Sequence, residues 1–534
     1  MSVDDYHRSE YNKRILVWQS LSGDVIVSPP LLPTQLKLPT NLLESLFDYQ
    51  LEGIQWLYSR LILEKKGGLL ADDMGLGKTI QVIGFLAALD CTADSLSIPS
   101  LIVVPATTLS QWVEECHRWY FPLRVIVLHE SFHSQPISDL LLKVDRAVYL
   151  VTYDGLQSHA DALLEKEWNV VVLDEAHEIK NRQLKVTELC KKIKTTRRIA
   201  LTGTPLQNDM GEFWSVMDFV CPGILDTYRI FQQEYMVPIQ QGREKDASPF
   251  QIFFGFWATR NIKRITHPYL LQRFKKDTLV HLLPPKHEYI LWCELGREQY
   301  PLYVQELILA RNTKKWTVGL FWKQLVRLRN ICNHPNMLEE KGMDPSQSSK
   351  VMVLLPLLRE WRQQGHKVLM FSQRLAILHM WKQVCKEENW SYKMMEGSTP
   401  ISMRHTLLTE FNQDDTFMFL LTTKVGGVGV NLTGASKVIL FDPDWNPAVD
   451  QQAKERAWRL GQTKAVDIYR VITRGTIEEK MLARQEYKTW LAKHVLEKGP
   501  QDRLEDKQKL MDLFIEPPPS RSSTCTYELE EFVE

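Results

Sequence analysis

Twice along this chain the same rhythm recurs: a short β-branched run, a loop, an amphipathic helical pattern, then another apolar run. In the first series the strand-like runs lie at 67–71, 101–104, 147–152, 170–173 and 198–201. In the second they lie at 367–371, 391–395, 417–422, 437–441 and 466–471. Helical patterns at 79–89 and 403–411 fill two of the gaps. Strands that alternate with helices form parallel, doubly wound α/β sheets. Two such series predict an α/β chain of two similar parallel-sheet lobes, a division that 534 residues easily accommodate.

The segments between and around the series read differently. Residues 210–345 carry long aromatic and basic helical patterns without strands, the signature of helical insertions growing from the lobes. Residues 337–350 are polar, contain a proline and show no period, so they read as a linker. From residue 515 a proline- and serine-rich stretch leads into an acidic end and reads as a flexible tail. The predicted division is an accessory segment 1–45, lobe one with its protrusion 46–285, and a second protrusion with linker 286–349. Lobe two at 350–480, brace helices 481–514 and the acidic tail 515–534 complete it.

Lys plus Arg and Asp plus Glu both number 65, so a polyanion would have to be met by local clusters, because the whole molecule supplies no net field. The basic runs 191–198 and 260–276 read either as such clusters or as solvated helix faces. Eight cysteines without a CxxC pair indicate neither a disulfide framework nor a zinc site, and Cys332 with His334 reads as structural. The polar, charged opening residues are unlike a signal peptide, so the Asn389 and Asn431 glycosylation matches read as chance. No apolar run approaches the ~18 residues needed to cross a bilayer, so no membrane partner is expected.

Chemistry enters with Asp72-Asp73-Met74-Gly75-Leu76-Gly77-Lys78-Thr79, set between an apolar run and a helical one. Gly75 and Gly77 let the backbone curl until successive N–H groups face a phosphate, and the helix N-terminus adds favourable partial charge. Lys78 is placed to neutralise β/γ oxygens and the Thr79 hydroxyl to reach Mg²⁺. Asp72 stands where the usual phosphate-loop pattern has glycine. A magnesium nucleotide also needs carboxylates, and Asp174-Glu175 follow the apolar run 170–173, at the strand end where open α/β sheets bind ligands. Asp174 is the candidate for holding Mg²⁺ through water and Glu175 for polarising an attacking water. His177 has no metal partner at helical spacing and is expected to hydrogen-bond near the site instead.

With these residues in hand, the chain resembles the Swi/Snf-type ATPases of helicase superfamily two. Further motifs carry the resemblance: Phe47-Asp48-Tyr49-Gln50 with Gly53, Val103-Val104-Pro105 with Gln111-Trp112, and Thr202-Gly203-Thr204-Pro205-Leu206-Gln207-Asn208. The second series adds Phe371-Ser372-Gln373, Thr422-Thr423-Lys424 through Gly427 to Asn431, Asp442-Pro443-Asp444-Trp445, and Gln452-Ala453-Lys454-Glu455-Arg456-Ala457-Trp458-Arg459. In this family an acidic residue at the position of Asp72 is common. Stretches such as 105–112, 124–130, Pro268-Tyr269-Leu270-Leu271-Gln272-Arg273 and 475–480 are most similar to the Cockayne syndrome group B branch of transcription-coupled repair translocases. Gln272 departs from that family's Leu-Arg-Arg triplet, which puts one polar contact in question.

The resemblance implies two RecA-like lobes, ATP and Mg²⁺ as cofactors, and a monomer in the nucleus that translocates on double-stranded DNA. It implies nucleotide contacts from Gln50, Asp73, Gly75, Gly77, Lys78, Thr79, Gly427 and Gln452. Coupling falls to Thr202, Gly203 and Thr204. Phosphate-backbone contacts fall to Gln111, Lys180, Asn181, Ser372, Gln373, Thr422, Thr423, Asn431 and Trp445. Arg456 and Arg459, spaced i and i+3 on a helix beginning near residue 448, would share one face. By resemblance they act as arginine fingers on the γ-phosphate. RNA polymerase II and nucleosomes are the protein partners implied. Three other readings stay open: a nucleosome-sliding remodeller, a non-enzymatic DNA- or polymerase-binding scaffold, and an RNA helicase. The acidic N-terminal region and ubiquitin-binding extension of larger relatives have no counterpart in this sequence.

Overall fold

The computed structural model describes Asn12, 26–27, 36–91, 99–129, 137–143, 147–203, 210–242, 247–279, 283–312, 318–338, 342–423, 432–445, 447–459, 461–485 and 527–532. The chain divides into two compact units between Val280 and His281.

Unit one is built on seven parallel strands: β1 Gly68–Leu70, β2 Ser100–Val104, β3 Val125–Leu128, β4 Val148–Thr152, β5 Val171–Leu173, β6 Arg198–Leu201 and β7 Leu270–Leu271. Their order across the sheet is β3-β4-β2-β5-β6-β1-β7. Side chains alternate between the two faces of a strand, so each strand feeds two cores. Leu101 and Val103 join Tyr149, Val171 and Leu173 on one face, while Ile102 and Val104 join Leu150, Val172 and Leu201 on the other. Both faces are dry, which is why these strands read as continuous apolar runs. Leu36, Leu38 and Leu42 belong to the second core, so the end of the accessory segment packs into unit one.

Unit two repeats the plan with β8 Lys286–Cys293, β9 Val368–Ser372, β10 Tyr392–Met395, β11 Met418–Thr422, β12 Lys437–Leu440, β13 Val466–Thr473 and β14 Tyr527–Phe532. The order is β10-β11-β9-β12-β13-β8-β14. All neighbours pair parallel except β14, which runs antiparallel to β8.

Several expectations are corrected here. The stretch 210–345 is not free of strands: β7 closes the first sheet and β8 belongs inside the second. Glu288 in the middle of β8 masks its apolar alternation, and three cations around that carboxylate explain why it can be buried. The run 337–350 is not a bare linker. Its 3₁₀ turns at Pro335–Leu338 and Pro345–Gln347 lead into the helix Ser349–Gln363, and Lys350 is fully buried. The Lys350 ammonium donates to Glu478 at 2.7 Å, the Phe441 carbonyl at 2.9 Å and Asn333 at 3.1 Å. The acidic end is not loose throughout, since 527–532 forms β14; residues 515–526 lie outside the described residues. Finally, the helix carrying Gln452 spans Pro447–Lys454 and stops there, so Arg456 and Arg459 lie in the turns that follow rather than on a helix face.

Candidate active site

In unit one the candidate phosphate loop leaves the end of β1 and enters the helix Lys78–Cys91. Gly75 and Gly77 hold φ of 88° and 78°, the left-handed region that favours glycine. A Cβ at Gly77 would lie 2.4 Å from the Gln50 amide nitrogen. That nitrogen donates to the Leu76 carbonyl at 3.3 Å, and the Gln50 oxygen accepts from the Phe47 backbone N–H at 3.1 Å. Gln50 therefore braces the loop from outside while remaining at its edge. Thr79 sits in the first turn of the helix. The Lys78 ammonium donates to the carbonyls of Asp72 at 2.7 Å and Asp73 at 3.2 Å. Burial lowers its pKa, against the pull of Glu175, Asp72, Asp174 and Asp73. Gly203 comes up against the same loop, since a Cβ there would fall 2.6 Å from Met74 Cγ. Thr202 is buried and its N–H donates to Leu70 at 3.2 Å. Thr204 lies outside the described residues.

Asp72 is held by a group that the motif reading did not single out. Arg273 Nε donates to Asp72 Oδ1 at 3.0 Å and Nη2 to Oδ2 at 2.6 Å, a two-bond fork on a fully buried carboxylate. The same guanidinium donates to Gln81 Oε1 at 2.7 Å and to the Tyr49 carbonyl. Gln81 Nε2 completes the ring with Asp72 at 3.1 Å. A side chain at Gly53 would overlap Gln81 Oε1, which a Cβ would meet at 1.8 Å. Asp73 accepts from the Lys275 N–H at 2.9 Å. The segment after β7 thus fixes both acidic residues at the start of the loop. The triplet position held by Gln272 is not needed for this fork. The arginine-after-leucine pattern was the one available signal for it.

Asp174 and Glu175 follow β5. Trp112 Nε1 donates to Asp174 Oδ2 at 2.8 Å, the Glu175 N–H to Oδ1 at 3.0 Å, and Tyr153 OH to the Asp174 carbonyl at 2.7 Å. Desolvation, with Glu175 beside it, raises the Asp174 pKa to about 6 although Trp112 and Lys78 pull it down. A cation would relieve that cost, so the residues fit a magnesium nucleotide. Glu175 adopts φ 50° and ψ 54°, a left-handed conformation that costs a non-glycine residue roughly 1–3 kcal/mol and clusters at functional sites. His177 Nδ1 lies 3.2 Å from Glu175 Oε2. Burial opposes its charge, yet the Glu175 bond and charge and the Glu178 charge together raise its pKa. Among the described residues no group of three or more His, Cys, Asp and Glu side chains could hold a metal alone. Mg²⁺ would therefore depend on phosphate oxygens as well as Thr79 and Asp174.

The remaining motif residues of unit one lie on the helix Leu109–Trp119 and just after the 3₁₀ turn Ala176–Ile179. Gln111 is the one on the helix. Lys180 stands 4.0 Å from Glu212, and Asn181 accepts from the Gln183 N–H at 3.0 Å while its carbonyl accepts from Thr187 at 2.7 Å.

Unit two gathers its own motifs around the ends of β9, β11 and β12. The Gln373 N–H donates to Asp442 at 3.0 Å and its amide to the Pro443 carbonyl at 3.0 Å, where Arg329 also donates at 2.6 Å. Trp445 meets Trp322 edge-on at 5.5 Å. Ser372 and Thr423 are buried, and the Ser372 hydroxyl accepts from the Arg374 N–H at 3.2 Å, so as placed Ser372 shapes a turn. Thr422 ends β11 half-buried. Asp450 accepts from the Asp444 N–H at 3.1 Å and Gln485 at 2.9 Å, and burial lifts its pKa to about 6. Arg456 is 3% exposed and its carbonyl accepts from Leu432 at 3.1 Å, while the Arg459 carbonyl accepts from Gln462 at 3.0 Å. Gly427 and Asn431 lie outside the described residues.

Comparison with known proteins now bears on this geometry. The SNF2-related domain matches residues 49–337, more than half of the chain, and the helicase conserved C-terminal domain matches 349–461. The chain belongs to the SNF2-related family. Among its SNF2-related relatives, the DNA excision repair protein ERCC-6 of Mus musculus is 40% identical over 91% of this chain and 35% of its own length. The DNA repair and recombination protein RAD26 of Saccharomyces cerevisiae is 37% identical over 90% of this chain and 50% of its own. The chain thus spans half or less of these curated relatives. A solved structure, the Sulfolobus solfataricus SWI2/SNF2 ATPase core in complex with dsDNA, is 29% identical. It covers 89% of this chain and 100% of its own, with a TM-score of 0.42.

Proposed function

We propose that this chain hydrolyses ATP with Mg²⁺ and uses the cycle to move along double-stranded DNA, in transcription-coupled repair in the nucleus. The observation that carries the reading is the convergence at the end of sheet one of a glycine-cradled loop, Lys78, and the desolvated pair Asp174-Glu175. Phosphoryl transfer needs positioning and charge stabilisation more than covalent chemistry. Loop N–H groups and Lys78 bind the β and γ oxygens, and Gln50 and Gln452 border the nucleotide. Thr79 and Asp174 would hold Mg²⁺, which would supply charge neutralisation on those oxygens. Glu175 orients and polarises the attacking water. Arg456 and Arg459 of unit two act as fingers on the γ-phosphate, so turnover follows the meeting of the two units. Thr202 and Gly203, packed against the loop, carry the state of the nucleotide outward.

Duplex DNA is held through phosphates by Gln111, Lys180, Asn181, Gln373, Thr422, Thr423 and Trp445, with Ser372 shaping the turn behind them. The repair reading is supported by the relatives named for excision repair, and RNA polymerase II is the partner that this role implies. The deciding experiment measures ATPase rate with duplex DNA, single-stranded DNA, RNA and nucleosomes, each alone, alongside a pull-down of RNA polymerase II. Duplex DNA should raise turnover at least tenfold above the other naked nucleic acids. Equal stimulation by RNA would replace this reading with an RNA helicase, and stimulation confined to nucleosomes with a remodeller.

A further inference from the structure

The second sheet ends on a strand whose composition gave no hint of it. β14 contains three glutamates in six residues, yet it pairs along β8 from Tyr527 opposite Cys293, through Leu529 opposite Leu291, to Phe532 opposite Glu288. On its other side β8 pairs with β13 over eight positions, Lys286 with Val466 through Cys293 with Thr473. β14 is last in the sheet order, bound on one side only. Removing it leaves β8 fully laddered to β13, with Ile290 still packed against Ile472 and Leu482. The sheet therefore does not depend on β14, whereas β14 depends on the sheet. A six-residue strand held by one ladder is marginal by itself. Covalent attachment gives it an effective concentration that a free strand reaches only in the millimolar range.

We propose that the outer edge of β8 is a strand-accepting site and that Tyr527–Phe532 of this chain is its exchangeable occupant. Main-chain N–H and C=O groups of β8 provide the affinity, as in other strand-addition sites. The resident strand pairs at six positions, Glu288 to Cys293.

Leu529→Pro in the full chain, and a chain ending at residue 514, each test this with a fluorescent peptide of residues 525–534 as the probe. Anisotropy should show saturable binding to both variants and at least tenfold weaker binding to the unaltered chain, whose site is filled. Hydrogen exchange adds a geometric readout. In both variants, alternate amides of β8 should exchange at least tenfold faster while those bonded to β13 stay protected, and the peptide should restore the first set. Absence of peptide binding up to about 1 mM, equal binding to the unaltered chain, or unchanged β8 exchange overturns the proposal. None of these readouts requires ATP turnover, so the outcome is independent of the proposed motor function.

Discussion

Arg273 grips Asp72 through two hydrogen bonds, 3.0 Å and 2.6 Å, although 201 residues separate them in the chain. The phosphate loop is therefore not a self-contained motif. Its first residue is anchored by the segment that follows β7, the strand closing one edge of the sheet, and that segment comes after the whole helical insertion. Asp72 is completely buried, so the fork is the condition on which a charged side chain can sit beneath the loop.

Arg273→Ala should destabilise unit one by about 3–5 kcal/mol, because it leaves a buried carboxylate without its partner. The double variant Asp72→Asn with Arg273→Gln should recover part of the loss. Equilibrium denaturation followed by a unit-one probe reads both. Arg273→Lys should behave more like the alanine variant than the wild type, since an ammonium cannot form the fork or reach Gln81 and Tyr49 together.

Lys78→Ala and Glu175→Gln should each reduce turnover by about a thousandfold or more while duplex binding survives. Steady-state ATPase and duplex anisotropy, measured on the same samples, check this. Near-normal turnover in either variant removes that residue from its assigned role.

The two arginines of unit two should separate by phenotype. Arg459→Ala is expected to lower kcat by about 10³–10⁵ with little change in ATP affinity, the mark of an arginine finger. Arg456→Ala, at a side chain only 3% exposed, should lower the thermal midpoint of unit two as well as kcat. An unchanged kcat for Arg459→Ala ends the finger assignment.

Asp174, lifted to about 6 by desolvation and by Glu175, should make Mg²⁺-nucleotide affinity fall as pH drops through 6, where the carboxyl becomes protonated. Trp112→Phe removes a hydrogen bond that favours the ionised form. It should therefore move this acid limb to higher pH. For stability the sign is opposite. With an unfolded pKa near ~3.9, this group's stabilising contribution is whole below that value and is lost as pH rises through about 6. Magnesium-nucleotide titrations at several pH values test the affinity limb.

Glu288 is the mirror case. Burial alone would raise its pKa, but Lys454, Arg470 and Lys286 together hold it well below the usual carboxylate range. Its contribution to stability is present above the unfolded pKa near ~4.3 and fades as pH falls through the depressed folded value. Glu288→Gln should cost unit two about 3–5 kcal/mol near neutral pH, seen in its thermal midpoint, and the gap from wild type should narrow in acid.

The sequence by itself determined the two parallel-sheet units, because strands buried on both faces leave apolar runs that no local alternative explains. It determined the glycine-rich turn ahead of Lys78 and the position of Asp174-Glu175 at a strand end for a similar reason: glycine conformation and carboxylate position are local properties written in consecutive residues. Tertiary structure decided what depends on distant partners. Glu288 hid β8 from the hydrophobic pattern, and only Lys454, Arg470 and Lys286 make its burial tolerable. The helix before Arg456 could continue on propensity alone. It ends at Lys454, and beyond it the Arg456 carbonyl bonds Leu432 and Trp458 donates to the Pro284 carbonyl at 2.9 Å. An acidic tail became a strand because backbone groups, not side chains, bind an open edge. Short-range pattern records what a residue does to its own backbone; which remote group satisfies a buried charge or an open edge is settled only when the chain has packed.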